Sequence, residues 1–259
     1  MITREQHEKE RRTSVPRLKV VANGPFGSGK TYFAMTFPKF AYAWIEPNGL
    51  VTMETEGKLR DNMVCYEPLV LQRDEKQVID SRGYFKKLTE FLMQVRIMAL
   101  KEEVETFILD NATYLLENRW IFINQHQLLK SKSGEINTLG MYGELARWAY
   151  RFFLVDIMSL PCHVVVTVHE MEETEEHDGK RTKTGRTISN LLGGFRDKIG
   201  GLCNLYTFLD CIKRDGKYEY RARCRPGAGK AAKNNLGLPE MVNDISYGNL
   251  VAKLKPKGE

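Results

Sequence analysis

The sequence predicts an α/β fold, with a mainly parallel central sheet covered by helices and a β-hairpin extension toward the C-terminal end. Three observations predict it. Short apolar stretches such as "RLKVVANG", "TFILDN" and "HVVVTVHE" alternate with helical ones. These stretches are apolar throughout rather than at every second residue, as strands buried on both faces are. Each ends in polar residues, at the strand ends where ligands gather in such sheets.

In chain order, residues 1–17 are charged and form an arm ending near Pro16. "RLKVVANG" is the first strand, "KTYFAMTF" is helical up to Pro38, and Phe40–Ile45 ("FAYAWI") is a second strand followed by the turn "EPNG". "MVCYEPLVL" is a third strand. Between Tyr84 and Glu103, apolar Phe85, Leu88, Leu92, Val95 and Ala99 fall at helical spacing. "TFILDN" is a buried strand ending in an acid, and helices are expected over 112–129 and 143–159. After "HVVVTVHE", the polar segment 171–190 places acids first and bases last and is expected as a mobile loop. "NLYTFLDCIK" and "YEYRARC", joined at "RDGK", form a hairpin over 204–225. The main domain is therefore expected over 18–242, with a tail over 243–259.

The chain has 259 residues, 42% of them hydrophobic, and a net charge of +6. All of that excess is carried by one segment. Residues 211–235 hold eight bases (Lys213, Arg214, Lys217, Arg221, Arg223, Arg225, Lys230, Lys233) against Asp215 and Glu219. Five cysteines with no CxxC spacing argue against a disulfide framework or a zinc site and for a reducing compartment. No apolar run approaches the ~18 residues that span a bilayer. The expectation is a soluble cytoplasmic protein with no membrane partner.

"GPFGSGKT" (Gly24, Pro25, Phe26, Gly27, Ser28, Gly29, Lys30, Thr31) meets every fixed position of G-x-x-x-x-G-K-[ST], between a strand and a helix. Glycines let successive N–H groups turn inward on phosphate oxygens. Lys30 would reach the β- and γ-phosphates, Thr31 would offer its hydroxyl to Mg²⁺, and the helix opening at Lys30 and Tyr32 adds its positive end. ATP and Mg²⁺ are the cofactors this implies. Asp110, closing "TFILDN", is the second metal-site residue, although a strand-terminal Asp can also cap the next helix. Hydrolysis needs a carboxylate to orient water. Glu46 is favoured because it follows an apolar strand, over Glu54 and Glu56 in a more polar stretch. His169 ends its strand where it could sense the terminal phosphate, or be a surface histidine.

Lys180, Arg181, Lys183 and Arg186 in the 171–190 segment suit a phosphate backbone, or form a solvated charge run. In the hairpin, alternation puts Arg221, Arg223 and Arg225 on one face, for DNA or for a neighbouring subunit's nucleotide.

Together, "GPFGSGKT", "FPK", "IEPNG", "FILDN", "VVVTVHE", "FRDKIGGLCNLYTFL" and "GKAAKNNLGLPEMV" resemble the RecA-like P-loop ATPases, in particular the phage-type proteins related to single-strand-annealing recombinases. The resemblance spans roughly Leu18 to Val242. It implies a RecA-like ATPase domain, Glu46 as the catalytic glutamate, His169 as the γ-phosphate sensor and the loop beyond it as a DNA-binding loop. It also implies Lys230 and Lys233 as bases acting across a subunit interface, although "KAAKNN" has asparagines where a further base is expected. The implied protein is a DNA-stimulated ATPase that assembles as a homo-oligomer on single-stranded DNA in phage-type recombination or replication, with a single-strand-binding protein as a further partner. A nucleotide-switched adaptor (a helicase loader or packaging accessory) and a small-molecule kinase are the alternatives.

Overall fold

The computed structural model describes residues 17–46, 61–71, 79–127, 129–130, 133–178, 180–214 and 216–254. The arm over residues 1–16, together with Glu54 and Glu56, lies outside the described residues.

Among the described residues, ten strands share one connected sheet: β1 (Lys19–Gly24), β2 (Phe40–Trp44), β3 (Met63–Pro68), β4 (Thr106–Asp110), β5 (His163–His177), β6 (Lys180–Ser189), β7 (Leu205–Arg214), β8 (Lys217–Arg223), β9 (Lys233–Asn234) and β10 (Met241–Asn243). Their main order is β10-β8-β7-β1-β5-β4-β2-β3. Strands β3, β2, β4, β5, β1 and β7 run parallel, and β8 then turns back antiparallel to β7. The hairpin is thus built into the central sheet: its first strand lies beside β1.

The all-apolar strands are explained by two cores, one on each face of the sheet. On β1, Val21 points into one and Val20 and Ala22 into the other; on β5, Val164, Val166 and Val168 oppose Val165. The first core is closed by α2 (Ser81–Leu100), α3 (Ala112–His126), α4 (Thr138–Arg151), which continues as a π-helical turn over Phe152–Ile157, and α5 (Gly193–Ile199). The second is closed by α1 (Lys30–Met35) and α6 (Tyr247–Leu254).

Side-chain caps explain where the long helices start. Asp80 accepts from Gly83 N and starts α2 at Ser81, three residues before the apolar periodicity begins. Asn111 accepts from Tyr114 N at the start of α3, and Asn137 accepts from Gly140 N at the start of α4.

Two expectations are corrected here. The segment 171–190 is not a loop: β5 runs on past the sheet to His177 and pairs antiparallel with β6. Its acids and bases sit on opposite strands, so the sequence order that suggested a loop is the order of a charge-paired ribbon. Lys183 meets Glu172 at 2.6 Å and Arg186 meets Glu173 at 3.5 Å. Nor does the fold end at 242. In α6, Tyr247 N donates to Thr36 Oγ1 at 2.8 Å, its ring packs on Phe37, and Leu250 is buried.

Candidate nucleotide site

Four strand ends meet at the carboxyl edge of the sheet. Gly24, closing β1, is in register with His169 on β5. Asp110 closes β4, next in line, and Glu46 lies two residues past β2. Strand pairing thus brings together residues separated by up to about 145 positions in sequence.

The loop after β1 has the backbone that its glycines permit. Gly27 and Gly29 have φ of 76° and 83°, in the left-handed region, and Gly29 leads directly into α1. Ser28 Oγ donates to Pro25 O at 2.9 Å, and Lys30 Nζ folds back to donate to Gly24 O at 2.9 Å and Pro25 O at 2.7 Å. Lys30 is buried, and burial lowers its pKa against the opposing pull of Asp110, Glu46 and Glu170. A desolvated ammonium held by two carbonyl oxygens is suited to an incoming phosphate.

Asp110 is fully buried and accepts from three hydroxyls. Thr31 Oγ1 donates to its Oδ2 at 2.8 Å, Tyr42 OH donates to the same oxygen at 2.7 Å, and Thr167 Oγ1 donates to Oδ1. Burial, then the Asp110 charge and hydrogen bond, push the Tyr42 phenol well above its ordinary pKa, so it remains a donor. No group of three or more His, Cys, Asp or Glu that could hold a metal occurs among the described residues. A carboxylate beside a threonine hydroxyl and a phosphate cradle nevertheless fits Mg²⁺, which takes one or two carboxylates and completes its shell with phosphate and water.

Glu46 and His169 form the opposite wall. Asn111 Nδ2 donates to Glu46 Oε2 at 2.6 Å and lies 3.0 Å from His169 Nε2, which is itself 3.5 Å from Glu46 Oε2. Because Asn111 Oδ1 caps α3, its amide is oriented with Nδ2 toward both. Burial alone would raise the Glu46 carboxyl; the hydrogen bond and charge of His169, then Asn111 and Lys30, hold it below the ordinary carboxylate value. It is a carboxylate at neutral pH. His169 is buried, its Nδ1 has no hydrogen-bond partner among the described residues, and Phe26, itself 73% exposed, lies over the ring at 4.2 Å.

From His169 the backbone leads into the β5–β6 ribbon. Asn190 N donates to His169 O at 2.7 Å, while Thr113 Oγ1 accepts from His169 N at 3.2 Å and donates to Asn190 O at 3.2 Å. Lys230 reaches the ribbon's base, 3.1 Å from Glu170.

Of the expected site residues, the structure gathers residues 24–32, Glu46, Asp110 and His169. Among the described side chains, the expected bases are not free cations. Arg221 pairs with Asp210 at 2.8 Å and Arg223 pairs with Glu240. Arg225 lies beyond the end of β8, and its Nε donates to Leu238 O. Lys233 donates to Gly200 O and Cys203 O. The side chains of Lys180 and Arg181 lie outside the described residues. Sequence reading missed Tyr42, Asn111, Thr113 and Thr167. The signal available for Tyr42 and Thr167 was a polar residue within an otherwise apolar strand; Asn111 and Thr113 lie instead at the start of α3.

The AAA domain family AAA_24 matches residues 17–236. The chain belongs to this AAA domain family. With its mostly parallel sheet between helices, it has the fold of a RecA-like P-loop NTPase, and the family supports a P-loop ATPase. Among solved structures, the flagellar accessory protein FlaH from Methanocaldococcus jannaschii is similar at 12% identity and a TM-score of 0.42, over 94% of this chain and 92% of that one. No curated protein matches. Among the described residues, no helix is long and apolar enough to cross a membrane.

Proposed function

We propose that this chain binds ATP with Mg²⁺ on the Gly24–Tyr32 loop and hydrolyses it, and that the nucleotide controls its assembly on single-stranded DNA. The observation that carries the hydrolytic part is the convergence of Lys30, Asp110, Glu46 and His169 from four elements on one sheet edge. Lys30 would exchange its two carbonyl partners for β- and γ-phosphate oxygens. Thr31 and Asp110 would hold the ion, which when bound offsets phosphate charge. Glu46, kept ionised by its neighbours, would orient the attacking water, with Asn111 fixing its carboxylate.

His169 would register the terminal phosphate, and its backbone bonds to Asn190 and Thr113 would pass the change to the β5–β6 ribbon. DNA phosphates would then compete with Glu172 and Glu173 for Lys183 and Arg186. The single-strand partner, the phage-type role and a homo-oligomer rest on the family resemblance and on this ribbon.

The test is ATP turnover with and without single- and double-stranded DNA. We expect single strands to raise the rate, Lys30→Ala to abolish it, and Glu46→Gln to lower it about 100-fold or more while ATP still binds. Equal rates with and without DNA at low salt refute the DNA assignment. Turnover surviving in Lys30→Ala refutes the site. The pairing of the described bases also favours a second reading, a nucleotide-switched adaptor, for which Glu46→Gln would leave function intact.

A further inference from the structure

The sheet order gives the nucleotide site two sides. From β1, the groups suited to the reacting end of a triphosphate (His169, Asp110 and Glu46) all lie toward β5, β4 and β2. A nucleotide with its phosphates on residues 24–31 and its terminal phosphate facing that side must pass its sugar and base out over the opposite rim, toward β7 and β8. That rim is aromatic. Tyr32, in the first turn of α1, stacks on Tyr220 of β8 with ring centroids 5.4 Å apart and planes 22° from parallel.

Tyr220 is built against the loop itself. A Cβ added at Gly29 would land on its ring, 2.7 Å from Cε1. The ring is partly buried, packed on the core beneath α1, while two residues along the same face of β8 Tyr218 is 68% exposed. Arg221 and Arg223 occupy the other face, paired with Asp210 and Glu240. The hairpin end nearest the loop therefore offers ring surface on the site's side, with Lys213 Nζ 5.9 Å from the Tyr218 ring centre, and turns Arg221 and Arg223 away from it.

We infer that Tyr32 and Tyr220 form the base subsite, an aromatic wall against which the nucleobase stacks. This rests on the proposed nucleotide site and adds to it the group that recognises the nucleoside as distinct from the phosphates. Stacking on a tyrosine is tolerant of base identity because every base has a π-face. The wall holds a nucleoside triphosphate against an inorganic polyphosphate, and discriminates weakly among bases.

The experiment compares the binding of Mg–ATP and of Mg–tripolyphosphate, which lacks sugar and base, by titration calorimetry. We expect Tyr220→Ala and Tyr32→Ala to weaken ATP binding by about 10-fold or more and to leave tripolyphosphate unchanged. Tyr220→Phe should bind both ligands as the wild type does. Equal weakening of both ligands would make Tyr220 a support for the loop and overturn the inference; so would unchanged ATP binding in both alanine variants. Should Tyr220→Ala fail to fold by circular dichroism, Tyr32→Ala, further from the core, decides alone. Lys30→Ala tests the underlying site separately. If it leaves tripolyphosphate binding intact, the phosphate cradle is misplaced, whatever the tyrosine variants do.

Discussion

Acidification should destabilise this protein through His163, far from the nucleotide site. His163 is buried at the start of β5, where its Nδ1 accepts from Leu18 N at 2.8 Å. Its Nε2 faces Tyr247 OH at 3.4 Å, so the neutral ring carries its proton on Nε2. Protonating Nδ1 would set it against the Leu18 N–H and leave that buried donor without an acceptor. Burial lowers the pKa from 6.5 to about 4, with Glu105 pulling upward and Lys19 and Arg17 pushing downward. Below 6.5 the unfolded chain takes up a proton that the native chain refuses until about pH 4. The stability His163 contributes is therefore complete above 6.5 and is lost as pH falls from 6.5 to 4. At about 1.4 kcal/mol per unit, the upper limit of the loss is ~3 kcal/mol. Urea unfolding at pH steps between 4 and 8 measures it, and His163→Asn, which keeps an acceptor near Leu18 but does not titrate, isolates it from the carboxylates. The wild type should lose more stability than the variant over this interval. Parallel curves for the two proteins would refute the reasoning.

Three further outcomes follow from the site. Tyr42→Phe removes one of three donors to the buried Asp110 carboxylate and should cost about 1.5–3 kcal/mol, read as a lower urea midpoint with an unchanged slope. Gly29→Ala places a side chain at φ 83° and against Tyr220; the backbone term alone is roughly 1–2 kcal/mol, and ATP binding by calorimetry should disappear. Lys230→Met should leave ATP affinity within about 2-fold of the wild type in the isolated chain, because its head group pairs with Glu170 and not with the cradle.

The central strands and the phosphate loop were legible because each rests on local chemistry: continuous apolar runs for strands buried twice, and glycines with a lysine for a tight cationic turn. Asp110 and Glu46 were legible for a related reason, since a polar residue ending an apolar strand must sit at a sheet edge. What stayed hidden depends on partners distant in sequence. Tyr42 and Thr167 read as ordinary strand residues until register places both beside Asp110. The segment 171–190 read as a loop because its polarity is high, and only pairing shows Glu172 and Glu173 meeting Lys183 and Arg186. The arginines of β8 read as a free stripe because Asp210 and Glu240, which neutralise two of them, come from neighbouring strand and loop positions.

The placing of β1 between β5 and β7 also dictates when the site can exist. Leu18 waits for His163, 145 residues later, and Lys19 waits for Asn204, 185 residues later. As the chain emerges from a ribosome, the glycine-rich turn is therefore made early and stays without its neighbouring strands until β7 has been synthesised. Non-local pairing of this kind folds slowly, so until β7 has been made the apolar first strand lies open to misassembly, and only then does the nascent chain become competent for nucleotide.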